Sequence, residues 1–349
     1  MMEDTQDIIE QFNLVYVHDS NLPIFRVGKK NAFKYTLNGI ELRQKNHLKR
    51  IEELVIPPAW QEVMITDLPN GHLQATGRDA RFRKQYRYHA KWSKIRNQTK
   101  FNRMLSFGQQ LPKIRKQVDE DLNKDGWHKK KVVALIVRLM EETHIRIGNV
   151  QYAKRNKTYG LSTLRKKHVN IFKDKLRFEF VGKKGKAHKV SLNNKKLVKL
   201  VSECEEIPGW ELFKYYGPMG AKKTVDSTMV NDYIHSIFGS RFSAKDFRTW
   251  AASLIFFDTL YDFGVTPDER QQQRYILNAY DSASRELGNT RNVCRKYYVH
   301  PLIEKVYLNG QIINYFKMVD EETDDDYGRT ASEKGLLALL EDLHQPHWT

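Results

Sequence analysis

The sequence predicts an α+β protein. A small, mostly β amino-terminal domain precedes a larger, mostly α-helical domain that carries a three-stranded β-meander. Three observations predict it. Residues up to about 90 hold short runs of alternating apolar and polar side chains separated by turn signals. From residue 92 the apolar spacing becomes helical. Three strand patterns with short turns then interrupt the helices near residues 168–192. The expected division is therefore 1–91 and 92–349.

Each element follows from its residues. Phe25-Arg-Val27 and Phe33-Lys-Tyr-Thr-Leu37 alternate. Val63-Met-Ile-Thr66 runs into a turn with Asn70-Gly71, a strong hairpin signal. His72–Thr76, a turn at Gly77–Asp79 and a strand Arg83–Tyr88 follow, with Tyr86 and Tyr88 on one face and Lys84, Gln85 and Arg87 interleaved. Val132–Ile147 reads as a helix, with Gly148 as its stop. His168–Phe172, Leu176–Val181 and Ala187–Leu192 form the meander, and its second turn is the basic Gly182–Lys186. Helices are expected over Val225–Phe238, from Ser243 to Phe263, and from Thr266 to Gly288. Ser243 and Asp246 form a capping box, and Thr266 serves as a cap with Pro267 in the first turn. An acidic run, Asp320–Asp326, reads as a surface segment before a last helix over Glu333–Leu343.

Composition narrows the function. There are 59 Lys and Arg against 42 Asp and Glu, a net charge of +17, which points to a polyanion and first to nucleic acid. The densest basic stretch, Arg78–Arg103, has ten cations against one acid, interleaved with tyrosines. No run of 18 apolar residues predicts a membrane span, and the acidic, polar start does not read as a signal peptide. Cys204 and Cys294 are too few for a disulfide framework or a zinc cluster, which fits a reducing compartment. His344-Gln-Pro-His347 reads as a plain tail rather than a metal site. No Gly-x-x-x-x-Gly-Lys-Ser/Thr loop is present, so no nucleotide cofactor is expected.

The chemistry-bearing residues come in a definite order. Opening a phosphodiester without metal needs a nucleophile, cations at the non-bridging oxygens, an acid for the leaving oxygen and a grip on the backbone. Arginine suits the second task, because its planar fork is always charged. Lysine suits the third, because crowding or desolvation lowers its pKa. The candidates are Arg146 in His144-Ile-Arg-Ile-Gly-Asn149, Lys183 and Lys184 in the meander turn, Arg248 one turn into an apolar helix, and the Tyr297-Tyr298 pair after Arg295 and Lys296. Singly, each has an ordinary structural role open to it: a helix cap, a solvated turn, an ion pair or aromatic packing.

Further segments accompany them: Gly77-Arg-Asp79, Arg83-Lys-Gln-Tyr-Arg-Tyr88, Arg146-Ile-Gly-Asn149, Tyr159-Gly-Leu-Ser-Thr-Leu164, Phe180-Val-Gly-Lys183, Lys245-Asp-Phe-Arg-Thr-Trp250, and Gly288-Asn-Thr290 with Tyr298 nine residues after Asn289. In this order and spacing, over nearly the whole chain, they resemble the type IB DNA topoisomerases in their compact bacterial and poxvirus-like form. The resemblance implies a topoisomerase IB or tyrosine recombinase-like fold, with the amino-terminal domain as a DNA clamp. It implies Arg146 and Arg248 as the phosphate clamp, Lys183 as general acid and Tyr298 as nucleophile, with Tyr297 in packing or support. Asn289 departs from poxvirus and nuclear relatives, which have histidine there. An amide can donate the same hydrogen bond but cannot carry charge, so the rate should depend less on pH around the histidine range. Arg83, Lys84, Gln85, Tyr86, Tyr88, Tyr152, Lys184 and Lys186 are implied DNA contacts.

The implied reaction relaxes supercoiled duplex DNA through a 3′-phosphotyrosyl intermediate, without ATP, metal or other cofactor. The implied partner is double-stranded DNA gripped by a monomer, with no membrane, in the cytoplasm and on the nucleoid if the source is bacterial. A tyrosine site-specific recombinase shares the Arg-Lys-Arg-Tyr chemistry. Recombinases usually carry histidine where this chain has Lys245, and a helical arm-binding domain where it reads as strands. A non-catalytic DNA-binding protein would not need the full set of five residues.

Overall fold

The computed structural model describes residues 9, 12–29, 32–239, 242–324 and 328–342. The chain divides into two compact units, Met1–Lys100 and Phe101–Thr349. The expected boundary at residue 91 falls just inside a helix, Ala90–Leu122. His344, His347, Asp325 and Asp326 lie outside the described residues.

The first unit is an antiparallel sheet of six strands: β1 (Ile24–Val27), β2 (Lys34–Leu37), β3 (Ile40–Glu41), β4 (Gln61–Ile65), β5 (Leu73–Arg78) and β6 (Lys84–Tyr88), in the order β3-β2-β1-β4-β5-β6. Alternation puts Ile24, Val63, Ile65 and Ala75 on the face that buries Ile51 of helix α1 (Lys45–Glu53). The expected turn at Gly77–Asp79 begins later, because β5 continues through Arg78. Lys84 lies on the tyrosine face rather than interleaving, its Nζ 5.8 Å from the centre of the Tyr86 ring.

The second unit is mostly helical and has one large core. Helix α2 is the Ala90–Leu122 helix, α3 spans Lys129–Thr143 and α4 spans Val150–Asn156. The meander follows as expected: β7 (Val169–Phe172), β8 (Lys175–Val181) and β9 (Ala187–Leu192), antiparallel in that order, with Leu176, Phe178 and Phe180 buried. After α5 (Lys195–Glu206) a two-stranded ribbon, β10 (Lys214–Tyr216) and β11 (Lys222–Thr224), leads to α6 (Ser227–Phe238), α7 (Ala244–Phe263), α8 (Glu269–Glu286) and α9 (Arg291–Tyr297). Helices α10 (Pro301–Leu308), α11 (Ile313–Glu321) and α12 (Ala331–Asp342) complete it. The start of the acidic run is thus helical, in α11. Asp268, not Thr266, caps α8, its carboxylate accepting from the Arg270 N–H, since Pro267 still precedes the first turn.

One buried ion pair fixes α7 within this core. Glu333 of α12 accepts from Arg115 of α2 at 2.8 Å, from Trp250 Nε1 of α7 at 3.0 Å and from the Thr330 N–H at 3.0 Å. Burial would raise the Glu333 carboxyl, but the Arg115 guanidinium and the Trp250 and Thr330 donors outweigh it and hold it below its ordinary value. Trp250 lies two residues from Arg248, so the pair also steadies the site helix. Removing one partner of a buried pair leaves the other uncompensated. Glu333→Gln is expected to lower unfolding free energy by about 3 kcal/mol in urea titrations. A change under about 0.5 kcal/mol, the range of ordinary surface substitutions, would contradict this account.

Candidate active site

The segment carrying Arg146 is shaped by an early helix stop. Helix α3 ends at Thr143 because His144 turns left-handed, with φ 54°, its N–H bonded to the Met140 carbonyl. Histidine is among the residues that enter this region, so the stop comes before the expected Gly148. Arg146 therefore lies in an irregular segment between α3 and α4 rather than at a helix end. The Arg146 carbonyl accepts from Leu161 N–H at 2.9 Å and the Ile147 carbonyl from Ser162 N–H at 2.8 Å. A Cβ on Gly160 would stand 2.3 Å from the Arg146 carbonyl oxygen and 2.6 Å from Gly148 Cα. The two segments touch because glycine occupies the contact. Tyr159 N–H, donating to the Val181 carbonyl at 2.8 Å, ties this layer to the end of β8, just ahead of Lys183.

Helix α7 presents Arg248. Its capping box is formed as expected, with the Ser243 N–H and hydroxyl both donating to Asp246 Oδ2. Arg248 is only 4% exposed. Its Nη1 donates to the His144 carbonyl and its Nη2 to the Leu287 carbonyl at 2.8 Å. Its guanidinium carbon lies 5.6 Å from the centre of the Tyr298 ring. Its Nε is buried without a hydrogen-bond partner. Asn289, beyond α8, accepts from Arg146 Nη2 through Oδ1, while its buried Nδ2 has no hydrogen-bond partner. Tyr298 closes α9. Its N–H donates to the Cys294 carbonyl at 2.9 Å, and its carbonyl accepts from Ser253 Oγ at 3.3 Å. Tyr298 packs against the core, whereas Tyr297 is 40% exposed and is not the packing residue of the pair.

The electrostatics are one-sided. Among the described residues, Arg146, Arg248, Lys183, Lys184 and Lys186 form no ion pair. Burial and the neighbouring Arg146 pull the Arg248 pKa down to about 10. Burial would raise the Tyr298 phenol, but Arg248, Arg146, a hydrogen bond from Arg248 and the charge of Lys183 outweigh it, and the net displacement is downward. Lys183 opens the turn between β8 and β9 and is exposed. Lys184 follows with φ 66°, and Lys186 Nζ donates to the Asn289 carbonyl at 3.2 Å. The arrangement can hold a phosphate and favour a phenolate beside it.

Two residues not singled out in the sequence join the cluster. His188 of β9 stacks on Phe180 across the strand pair, ring centres 5.0 Å apart and 8° from parallel. A Cβ on Gly182 would come within 2.6 Å of this ring, and one on Gly288 within 2.4 Å. His188 thus fills the space between the backbone that precedes Lys183 and the backbone that precedes Asn289. Burial, then Arg146, Lys186 and Arg248, depress its pKa to about 4. Cys294 is fully buried and its thiol is pushed up by burial, against the opposing influence of Asn289, Arg248, Arg146 and Lys186. The sequence offers no signal for His188, since Gly288 lies a hundred residues away.

Comparison with known proteins decides the family. Residues 89–318 match the family described as eukaryotic DNA topoisomerase I, catalytic core, and residues 32–79 match bacterial DNA topoisomerase IB, N-terminal domain. The chain belongs to the type IB DNA topoisomerases. It is 34% identical over 290 residues to DNA topoisomerase 1B of Acanthamoeba polyphaga mimivirus, covering 81% of this chain and 86% of that one. DNA topoisomerase I of Monkeypox virus is 22% identical over 280 residues, covering 78% and 82%.

The other expected DNA contacts of this topoisomerase lie on both units. In the first, Arg83 precedes β6, and Lys84, Gln85, Tyr86 and Tyr88 lie on it. Tyr86 stacks on Tyr88 with ring centres 6.0 Å apart. Arg83 pairs with Asp79 and Lys84 with Asp19, each at 2.6 Å. Exposed pairs of this kind are worth at most about 1 kcal/mol, so a phosphate can displace them. In the second unit, Tyr152 is 52% exposed on α4, whose start is capped by Asn149.

The buried imidazoles give the second unit a defined acid response. Burial, with nearby cations, pulls His144, His168 and His188 from 6.5 to about 4. The unfolded chain therefore binds protons that the folded chain refuses, and stability falls as pH drops from about 6.5 toward 4. Urea midpoints are expected to decline across that window, and His144→Asn and His188→Asn each to flatten the decline. Variants that leave the slope unchanged would show that these rings ionise freely in the fold.

Proposed function

We propose that the chain relaxes supercoiled duplex DNA by transesterification, with Tyr298 as nucleophile. The observation that carries the reading is the buried Arg248 guanidinium. It has no carboxylate partner among the described residues, and it lies over the Tyr298 ring beside Arg146 and Asn289, whose Oδ1 accepts from Arg146 while its Nδ2 has no hydrogen-bond partner. A charge left so incompletely compensated favours an incoming anion, and a phosphodiester has the oxygens that two guanidinium groups and one amide can share.

In the proposed reaction Tyr298 gives its phenol proton to water, and the phenolate oxygen, favoured by Arg248 and Arg146, attacks phosphorus in one strand. The new O–P bond forms as the bond to the 5′ oxygen breaks, and Lys183 gives that oxygen its proton. Arg146, Arg248 and Asn289 Nδ2 hold the non-bridging oxygens. The phosphotyrosine keeps the bond energy while the free end rotates. The 5′ hydroxyl then attacks back, returns its proton to Lys183 and frees Tyr298. The positive charge comes from side chains, so neither ATP nor a divalent metal is required. Arg83, Lys84, Gln85, Tyr86, Tyr88, Tyr152, Lys184 and Lys186 would grip the duplex for a single copy of the chain.

Plasmid relaxation in EDTA without ATP tests this. The parent and Tyr297→Phe are expected to relax supercoiled DNA, Tyr298→Phe to be inactive, and Arg248→Ala to slow cleavage by about 10²–10³. Lys183→Ala should recover on a substrate whose leaving 5′ oxygen is replaced by sulfur, which leaves without a proton. Relaxation surviving Tyr298→Phe, dependence on Mg²⁺, or joining of two defined sites without relaxation would each overturn the reading.

A further inference from the structure

The turn between β5 and β6 holds a residue that its backbone does not suit. Phe82 has φ 55°, in the left-handed region where Cβ crowds the backbone. Glycine or asparagine takes this conformation readily, whereas a bulky aromatic residue pays for it in strain. Burial does not offset that cost. The ring is 59% exposed, and no ring or cation contact to it occurs among the described residues.

The turn around this ring is nonetheless closely built. Asp79 Oδ1 accepts from the N–H of Arg81 at 2.9 Å and of Arg83 at 3.0 Å. Asp79 Oδ2 accepts from Arg83 Nε at 2.7 Å and from Gln85 Nε2 at 3.0 Å. Phe82 N–H donates to the Asp79 carbonyl at 2.8 Å, and the Phe82 carbonyl accepts from Arg78 Nη1 at 3.2 Å. Arg78 in turn pairs with Glu62 at 2.5 Å. The backbone is thus bonded on both sides of Phe82. The phenyl group stands out between two arginines, with Lys84 and Tyr86 next along β6.

We propose that Phe82 is an apolar contact to duplex DNA, its ring entering a groove against sugar and base edges while Arg81 and Arg83 meet the flanking phosphates. The proposal rests on the reading of this chain as a duplex-binding topoisomerase. Charge selects the occupant. Duplex DNA sets the apolar parts of a groove, thymine methyl groups and sugar carbons, between two rows of phosphates, which matches an apolar ring between two cations. A second copy of this chain would bring like charges together, and an apolar protein surface would offer the Arg81 guanidinium no anion.

The test uses the full chain carrying Tyr298→Phe, so that binding is read without covalent capture. Phe82→Gly relieves the strain and Phe82→Asn keeps the left-handed backbone without the ring. Phe82→Gly is expected to raise the urea midpoint, and both variants to bind a duplex about 5–10-fold more weakly at fixed salt. The slope of log Kd against log salt should stay unchanged, because no phosphate contact is lost, whereas Arg83→Ala should reduce it by about 1. Three results would overturn the proposal: affinities within twofold of the parent, a slope that falls as in Arg83→Ala, or a Phe82→Gly chain less stable than the parent. A parent that dimerises, with Phe82→Asn monomeric and of unchanged DNA affinity, would assign the ring to a second copy and overturn it too. Failure of the parent to bind duplex DNA would instead sink the topoisomerase reading itself.

Discussion

The site depends on a cation buried inside the helical unit. Arg248 is almost wholly removed from water, and its bonding partners among the described residues include no carboxylate. Burying a charge this way is costly, and among the described residues two carbonyl dipoles, of His144 and Leu287, and the face of the Tyr298 ring offset it. Those partners place the rest. His144 begins the segment that carries Arg146, and Leu287 precedes Gly288 and Asn289. One guanidinium therefore sets the separation between three stretches of chain that are far apart in sequence. A lysine could not replace it, since its single ammonium lacks the fork that reaches two carbonyls while facing the phenol.

Steric contact does the remaining alignment. The turn that begins with Lys183 and the loop that contains Asn289 are held apart by one imidazole, that of His188, which approaches a glycine on each side. A larger residue at either glycine would push the ring off Phe180 and shift one loop against the other. The lysine turn is thereby exposed and basic at its tip but constrained at its base. That combination suits a group that must reach a leaving oxygen and then withdraw, because the tip can move while the strands remain paired from Val181 to Ala187.

Periodicity and turn chemistry made much of this legible in advance. The meander, the capping box at Ser243 and the order of the cationic residues all follow from local signals, and the family resemblance rests on their spacing. Tertiary partners decided two of the misses, the stop of α3 and His188. The stop after Thr143 is a histidine in the left-handed region whose carbonyl answers to Arg248, a hundred and four residues on. Thr266 lost the cap of α8 to Asp268 because both can cap, and only the path of the chain into the helix chooses. His188 is invisible for the same reason, since nothing near it in sequence refers to Gly288.

Asn289 gains a more definite meaning from its neighbours. Because Arg146 donates to Oδ1, the amide has one orientation, and only Nδ2 remains to give to an anion. A histidine in its place could carry charge and would gain or lose it between about pH 5 and 8. The same cations that would act on such a histidine act on His188, and together with burial they hold it neutral down to about 4. His144, on the other side of Arg248, is neutral over the same range. Arg248 keeps its proton up to about 10. The charge that these groups present to a phosphate is therefore constant across the neutral range. In the proposed reaction Arg146 and Arg248 would hold the phosphate with a fixed charge, and the Asn289 amide would supply direction without adding a proton that could be lost.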